Sequence, residues 1–253
     1  MSTPRASRPT RLKLVIAYDG GRFQGWQSQS GGNTVQDHIE GAFEKICGHP
    51  ITLHGAGRTD AGVHALGQCA HVEVDRNPPL APDRWLSALN AHLPREIRVM
   101  KCNRAPQTFH ARFTAKGKIY TYRIWNSTVH PPLENGRSWH LPGPLNMSIL
   151  RREAKKLIGS HDFASFAANR GKPVEDTVRT IREIKIRKQG PLITLTFEGN
   201  GFLYKMVRLI TGTLIRCAQE RADGDWIPDL LAGKKKTSFA APAEGLYLTR
   251  VLY

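Results

Sequence analysis

The chain has 253 residues, 40% of them hydrophobic, and its 37 basic side chains outnumber 21 acidic ones to leave a net charge of +16. That length buries a sizeable core in one large domain or two smaller ones, and that charge points to a polyanionic partner, nucleic acid first. It argues against a membrane partner, because no segment joins a long apolar face to a clustered basic one and no run nears the ~18 apolar residues of a span.

Residues 1–10, with Arg5 and Arg8, read as a loose basic arm without an apolar leader. Leu12, Leu14 and Ile16 alternate with Lys13, Val15 and Ala17, which predicts a strand ending at Asp19-Gly20-Gly21. A Gly- and Gln-rich loop follows, and in it Phe23 and Trp26 read either as bases for RNA stacking or as cover for a sheet edge. Thr34 is the expected cap of a helix that places Val35, Ile39, Phe43 and Ile46 on one face and stops at Gly48 and Pro50. A short strand is expected over Ile51 to His54, then a polar loop from Gly55 to His64, then an alternating strand over Cys69 to Val74. Pro82 suits the first turn of a helix carrying Trp85, Leu86 and Leu89, and Ile97 to Lys101 makes a further strand.

The order to this point is β, α, β, β, α, β, the split arrangement of a ferredoxin-like half. From about Phe109 the same kind of sequence begins again. Ile119 to Trp125 is a strand, and Asn146 opens a helix through Ile149, Leu150, Leu157 and Ile158 closed by Gly159. Ile181, Ile184 and Ile186, then Leu192 to Phe197, form two strands joined across Gln189-Gly190-Pro191. Phe202 to Cys217 reads as an apolar helix, Trp226 to Leu231 as a shorter one, and Leu246 to Tyr253 as a closing strand. The expected organisation is therefore α+β: a flexible arm at 1–10, an N-terminal half at 11–105 and a C-terminal half at 106–253. The halves have no flexible linker, and their sheets are expected to join side by side around a basic cleft. Cys47, Cys69, Cys102 and Cys217 are irregularly spaced with no C-x-x-C pair, so they read as reduced thiols of a soluble, cytoplasmic protein.

The stretch richest in chemistry is Gly55-Ala56-Gly57-Arg58-Thr59-Asp60-Ala61-Gly62-Val63-His64. Its glycines permit tight turns and close approach of a ligand, and Arg58, Thr59 and Asp60 set a cation, a hydroxyl and a carboxylate side by side. On spacing alone this is a turn whose aspartate bonds its own backbone, or a loop that presents a carboxylate to a ligand. A metal site of Asp60, His64 and His71 lacks a ligand signature. Arg208 falls in an apolar segment, where a charge is costly unless paired, and Tyr120 on a strand reads as core packing. Lys234-Lys235-Lys236 reads as a solvated charge run.

Gly57 to His64, Gly-Arg-Thr-Asp-Ala-Gly-Val-His, resembles the signature loop of the tRNA pseudouridine synthase A family without departure. The resemblance continues in order through Tyr18-Asp19-Gly20, Gly25-Trp26-Gln27, Phe109 to Phe113, Tyr120 to Arg123, Phe202 to Arg208, and Glu244 to Leu248. It implies a pseudouridine synthase fold of two ferredoxin-like halves. The implied activity is a cofactor-free, metal-free isomerisation of uridine to pseudouridine at positions 38, 39 and 40, in the anticodon stem-loop of tRNA, by a homodimer. It also implies that Asp60 is the catalytic carboxylate, Arg208 its partner, Tyr120 the ring stacked on the target uracil, and Leu246 an apolar residue near that base. Arg58 would then hold the extruded base out of the stem, and His110, Arg112, Arg170 and Lys172 would contact RNA. Two rivals keep the fold: a non-catalytic RNA-binding protein, and a synthase acting on another RNA site. A third rival is a metal-dependent hydrolase.

Overall fold

The computed structural model describes residues 9–75, 80–168, 176–220 and 226–253, so the expected arm lies outside it up to residue 8. The chain divides into two compact units, one running through Ala115 and taking in Tyr253, the other Lys116–Leu252. The contacts separate ten residues beyond the expected division at 105, because residues 105–115 stay tied to the first unit. Ala105 N–H donates to Arg11 O over 2.9 Å, Ala111 N–H to His71 Nδ1 over 3.2 Å, and the Tyr253 hydroxyl to Ala111 O over 2.7 Å.

The first unit comprises β1 (Thr10–Tyr18), α1 (Val35–Cys47), β2 (His54–Gly55), β3 (His64–Val74), α2 (Pro82–His92) and β4 (Ile97–Arg104). Its strands lie in the order β4-β1-β3-β2, each neighbouring pair antiparallel. β1 buries Leu12, Leu14, Ile16 and Tyr18, the alternation that sets which face meets the helices. α1 begins with a complete capping box, Thr34 and Asp37 satisfying each other's backbone N–H, and ends on Gly48 in the left-handed region. Its buried face, Val35, Ile39, Ala42 and Phe43, meets α2 where Phe43 and Trp85 lie 5.5 Å apart. The strand expected over residues 51–54 shrinks to two residues. Ile51 and Leu53 are buried as expected, but Leu53 N–H donates to the Glu40 carboxylate over 2.8 Å, so a helix side chain takes the ladder's place.

The second unit comprises β5 (Gly117–Trp125), β6 (Trp139–His140), α3 (Met147–Lys155), β7 (Gly159–Asp162), β8 (Val178–Gln189), β9 (Leu192–Gly199), α4 (Met206–Ala218), α5 (Trp226–Leu231) and β10 (Leu246–Leu252). Its strands run β10-β5-β9-β8-β7, again antiparallel, with β6 beside β5 in parallel. Reading β5, α3, β8, β9, α4 and β10 as one βαββαβ unit gives the same fourth-first-third-second order as the first unit. Both are ferredoxin-like, and the chain is α+β.

Two details depart from the expected elements, and a third explains one that held. α3 ends at Lys155, and Gly159, at φ +118, opens the edge strand β7 instead of capping the helix. α4 begins at Met206, four residues later than expected, because Lys205 holds a left-handed φ of 59 that a helix cannot continue through. A register shift between Ile181 and Glu183 explains why Ile181 and Ile184, three apart, both belong to β8. α4 buries eleven of its thirteen residues, and each fully buried Leu or Ile contributes about 1.5–3 kcal/mol against leaving it in water.

Candidate active site

In the first unit the signature run from Gly57 to His64 fills the loop over residues 56–63, between β2 and β3, and its His64 opens β3. Surrounding residues hold it on several sides. Ala56 N–H donates to Cys69 O over 2.7 Å, and the Gln68 amide donates to Gly57 O over 2.8 Å. Trp26 N–H donates to Thr59 O over 3.1 Å, and the Tyr18 hydroxyl lies 2.7 Å from the buried Thr59 Oγ1. Burial pushes the Tyr18 phenol well above its usual range, so it stays a neutral hydroxyl. Trp26 packs so close that a Cβ on Gly55 would come within 2.4 Å of its Nε1. At Gly25, whose φ is +90, a Cβ would come within 2.7 Å of Thr59 O and 3.1 Å of Ala61 N. The loop therefore rests on backbone that tolerates no side chain.

Thr59 points inward, and its neighbours on either side face outward to different degrees. Asp60 is half-buried and Arg58 exposed. Val63 N–H closes the turn onto Asp60 O over 3.1 Å, and Gly62 takes the left-handed φ of 77 that the turn requires. Arg58 Nε donates to Gln27 Oε1 over 3.1 Å, and Gln27 is held in turn by buried Gln36 over 2.9 Å. The result is a carboxylate and a guanidinium two residues apart on a preorganised turn.

Tyr120, Arg208 and Leu246 belong to the second unit. Tyr120 is buried on β5, edge-on to Phe202 at 5.2 Å. β10 pairs with β5 so that Leu246 faces Tyr122 and Leu248 faces Tyr120, which puts all four on one face of the sheet. Arg208 lies in the first turn of α4, half-buried. Its Nε donates to Ala241 O over 2.7 Å while Ala241 N–H donates back to Arg208 O over 3.0 Å. The Tyr122 phenol is driven up by burial, against a smaller opposing pull from the Arg208 charge, and donates to Pro242 O over 2.7 Å. Arg208, Tyr120 and Leu246 are thus gathered on one unit.

The remaining expected residues divide. His110 and Arg112 sit in the first unit, where His110 lies 4.6 Å from His71 and 5.9 Å from His54, the residue that opens β2 just ahead of the loop. Seven strand positions separate His71 from His64, where the loop ends, roughly 20 Å along β3. Arg170 and Lys172 lie outside the described residues. Trp26 and Phe23 are core residues, Trp26 against Tyr18 at 6.0 Å and Phe23 edge-on to His38 at 5.3 Å. Lys235 bonds Asp229 over 2.8 Å and Lys234 lies 3.8 Å from it. Among the described residues no group of three or more His, Cys, Asp or Glu is disposed to hold a metal ion, and all four cysteines are free.

Sequence reasoning singled out no role for Tyr18, Gln27 or Gln68, which hold the loop. Tyr18 and Gln27 fell within quoted motifs, but nothing local marks a hydroxyl as the partner of a residue 41 positions away. The family model described as tRNA pseudouridine synthase matches residues 14–114 and 154–253. The chain is similar to the tRNA pseudouridine synthase A of Akkermansia muciniphila, 42% identical over 252 residues that cover 96% of this chain and 95% of the relative. It is also similar to the proteins of that name from Acetivibrio thermocellus and Methylacidiphilum infernorum. The first is 39% identical, covering 96% of this chain and 99% of the relative, and the second 40%, covering 95% and 94%.

Proposed function

The chain belongs to the tRNA pseudouridine synthase family, and we propose that it isomerises uridines 38, 39 and 40 in the anticodon stem-loop of tRNA with Asp60 as the catalytic carboxylate. In the reaction the bond from uracil N1 to ribose C1′ breaks, the base rotates, C5 bonds to C1′, and the C5 proton leaves while N1 gains one. Substrate and product are isomers, so neither redox partner nor energy source enters. A carboxylate serves by attacking C1′ as a nucleophile or by removing a sugar proton, and both routes need it ionised and held still. The observation that carries the reading is the loop itself: Asp60 is half-buried on a turn anchored through Tyr18, Trp26 and Gln68.

Around Asp60 the proposed roles follow the family pattern. Arg208 is the cation that keeps the carboxylate ionised, Tyr120 stacks on the target uracil, and Leu246 packs near it. Arg58, exposed and steadied by Gln27, fills the space that the extruded nucleotide leaves. His110, Arg112, Arg170 and Lys172 contact the RNA backbone, and the working form is a homodimer. Three adjacent targets on one stem require recognition by shape and backbone, the usual mode for folded RNA.

The test is to incubate the protein with unmodified tRNA and map pseudouridine at single-nucleotide resolution. Pseudouridine at 38 to 40 supports the reading. Pseudouridine confined to other positions overturns the site, and none anywhere overturns the activity.

A further inference from the structure

Phe113 is 75% exposed, an unusual position for so large an apolar ring. Scattered exposed apolar residues are ordinary, and Val129 and Leu133 are further examples here. Phe113 differs in what lies beneath it. Its ring rests on the His110 ring at 4.3 Å with a 31° tilt. His110 in turn meets buried His71 edge-on at 4.6 Å, so a chain of three ring contacts runs from the core outward. The turn that carries the outer ring is tied down: Nδ1 of His110 accepts the N–H groups of Arg112 and Phe113 over 3.1 and 3.3 Å, and His110 O accepts Thr114 N–H over 3.0 Å.

The two supporting histidines are neutral near pH 7. Burial first, then the charges of His110, His54 and Arg11, push His71 down to about 4. Burial, His54, Arg11 and Arg112 lower His110 as well. The Arg112 guanidinium stands over the Phe113 ring, 5.6 Å from its centre, and is exposed. An exposed aromatic ring with a guanidinium over it, on a chain of net charge +16, suits a planar base attached to a phosphate better than an aliphatic side chain.

We propose that Phe113, supported by His110 and flanked by Arg112, is a stacking platform for one unpaired base of the RNA substrate. It is a positioning surface on the segment between β4 and β5, outside the Asp60 loop, so it acts on binding and register and takes no part in the chemistry. The inference deepens the tRNA reading above and rests on it.

Three variants at this exposed position test it without threatening the core. Phe113→Leu keeps apolar bulk and removes the π-face, Phe113→Trp keeps the π-face, and Phe113→Asp removes both. The dissociation constant for unmodified tRNA is measured at fixed salt together with the single-turnover rate at saturating enzyme. Loss of one base stack is expected to weaken binding by about 5- to 150-fold in Phe113→Leu, with the saturated rate within about threefold of wild type. Phe113→Trp should bind within about threefold of wild type. The proposal is overturned if Phe113→Leu binds like wild type, or if Phe113→Trp loses as much as Phe113→Leu. It is overturned equally if Phe113→Asp changes the sedimenting mass of the free protein, since the ring then serves a second copy of this chain. The binding arm needs no turnover. A wild-type protein that binds tRNA but forms no pseudouridine sinks the functional reading, and the platform is still judged on affinity.

Discussion

The two units share one topology and differ most at the same point in it, the connection from the second strand to the third. In the second unit, β8 of twelve residues and β9 of eight meet across Gly190-Pro191, and their pairing runs without a break from Glu183 and Glu198 to Gln189 and Leu192. In the first unit, β2 keeps two residues and the signature loop takes the rest of the hairpin's place. A hairpin satisfies its backbone in its own ladder. A loop must find partners elsewhere, and this one finds backbone partners in Trp26, Gln68 and Cys69, while Tyr18 holds the Thr59 hydroxyl. Rigidity is needed at both places, but it is local in one and borrowed from neighbours in the other.

Breaking the comparison at its chemical end gives the largest expected effect. Asp60→Asn keeps size and most hydrogen bonding but removes the charge. Pseudouridine formation should fall by at least about 10³-fold while tRNA affinity stays near wild type. A rate within tenfold of wild type would remove Asp60 from the chemistry.

Acid should separate the units next. The first buries His71, whose folded pKa of about 4 lies below its ordinary 6.5 and whose Nδ1 accepts Ala111 N–H. Between those two values the unfolded chain binds the extra proton, so stability is lost as pH falls through that window, by up to about 3 kcal/mol. Among the described residues the second unit's buried carboxyl group is Glu153. Burial pushes it up, but hydrogen bonds from Lys156 and Arg152 outweigh that and leave it below 4.5, so its contribution persists until pH falls below that value. Thermal unfolding from pH 7 to 5 should therefore show a falling midpoint that His71→Asn, which keeps an acceptor but does not titrate, makes shallower. An unchanged slope in that variant would clear His71.

The two turns can be compared directly with alanine. Gly25→Ala drives a Cβ into Thr59 O, and a displaced carboxylate should cost about 10- to 100-fold in single-turnover rate. Gly190→Ala meets nothing within 4 Å, so only its φ of 55 is strained. It should cost about 1 kcal/mol of stability or less and leave the rate unchanged. If both variants behave alike in rate, the loop is not held in the way its contacts indicate.

Much of this was legible in the order of residues. The alternation in β1, the Thr34 cap with its Gly48 stop, and the run from Gly57 to His64 are contiguous signals, because period, cap and motif each reside in neighbouring residues. Less legible were β7, built from Gly-Ser-His-Asp with no β-branched residue, and the delayed start of α4, set by the backbone of Lys205.

The sequence by itself determined the family, the α+β alternation and the identity of the carboxylate loop. Only the tertiary structure decided that Trp26 is a core residue under Gly55 and not an RNA contact, that Tyr18 holds Thr59 from 41 residues away, and that Phe113 rests on His110, which meets buried His71 edge-on. The reason is physical. Helix and strand periodicity is written at separations of two to four residues, whereas a buried hydroxyl or a layered ring finds its partner through the fold of strands distant in sequence.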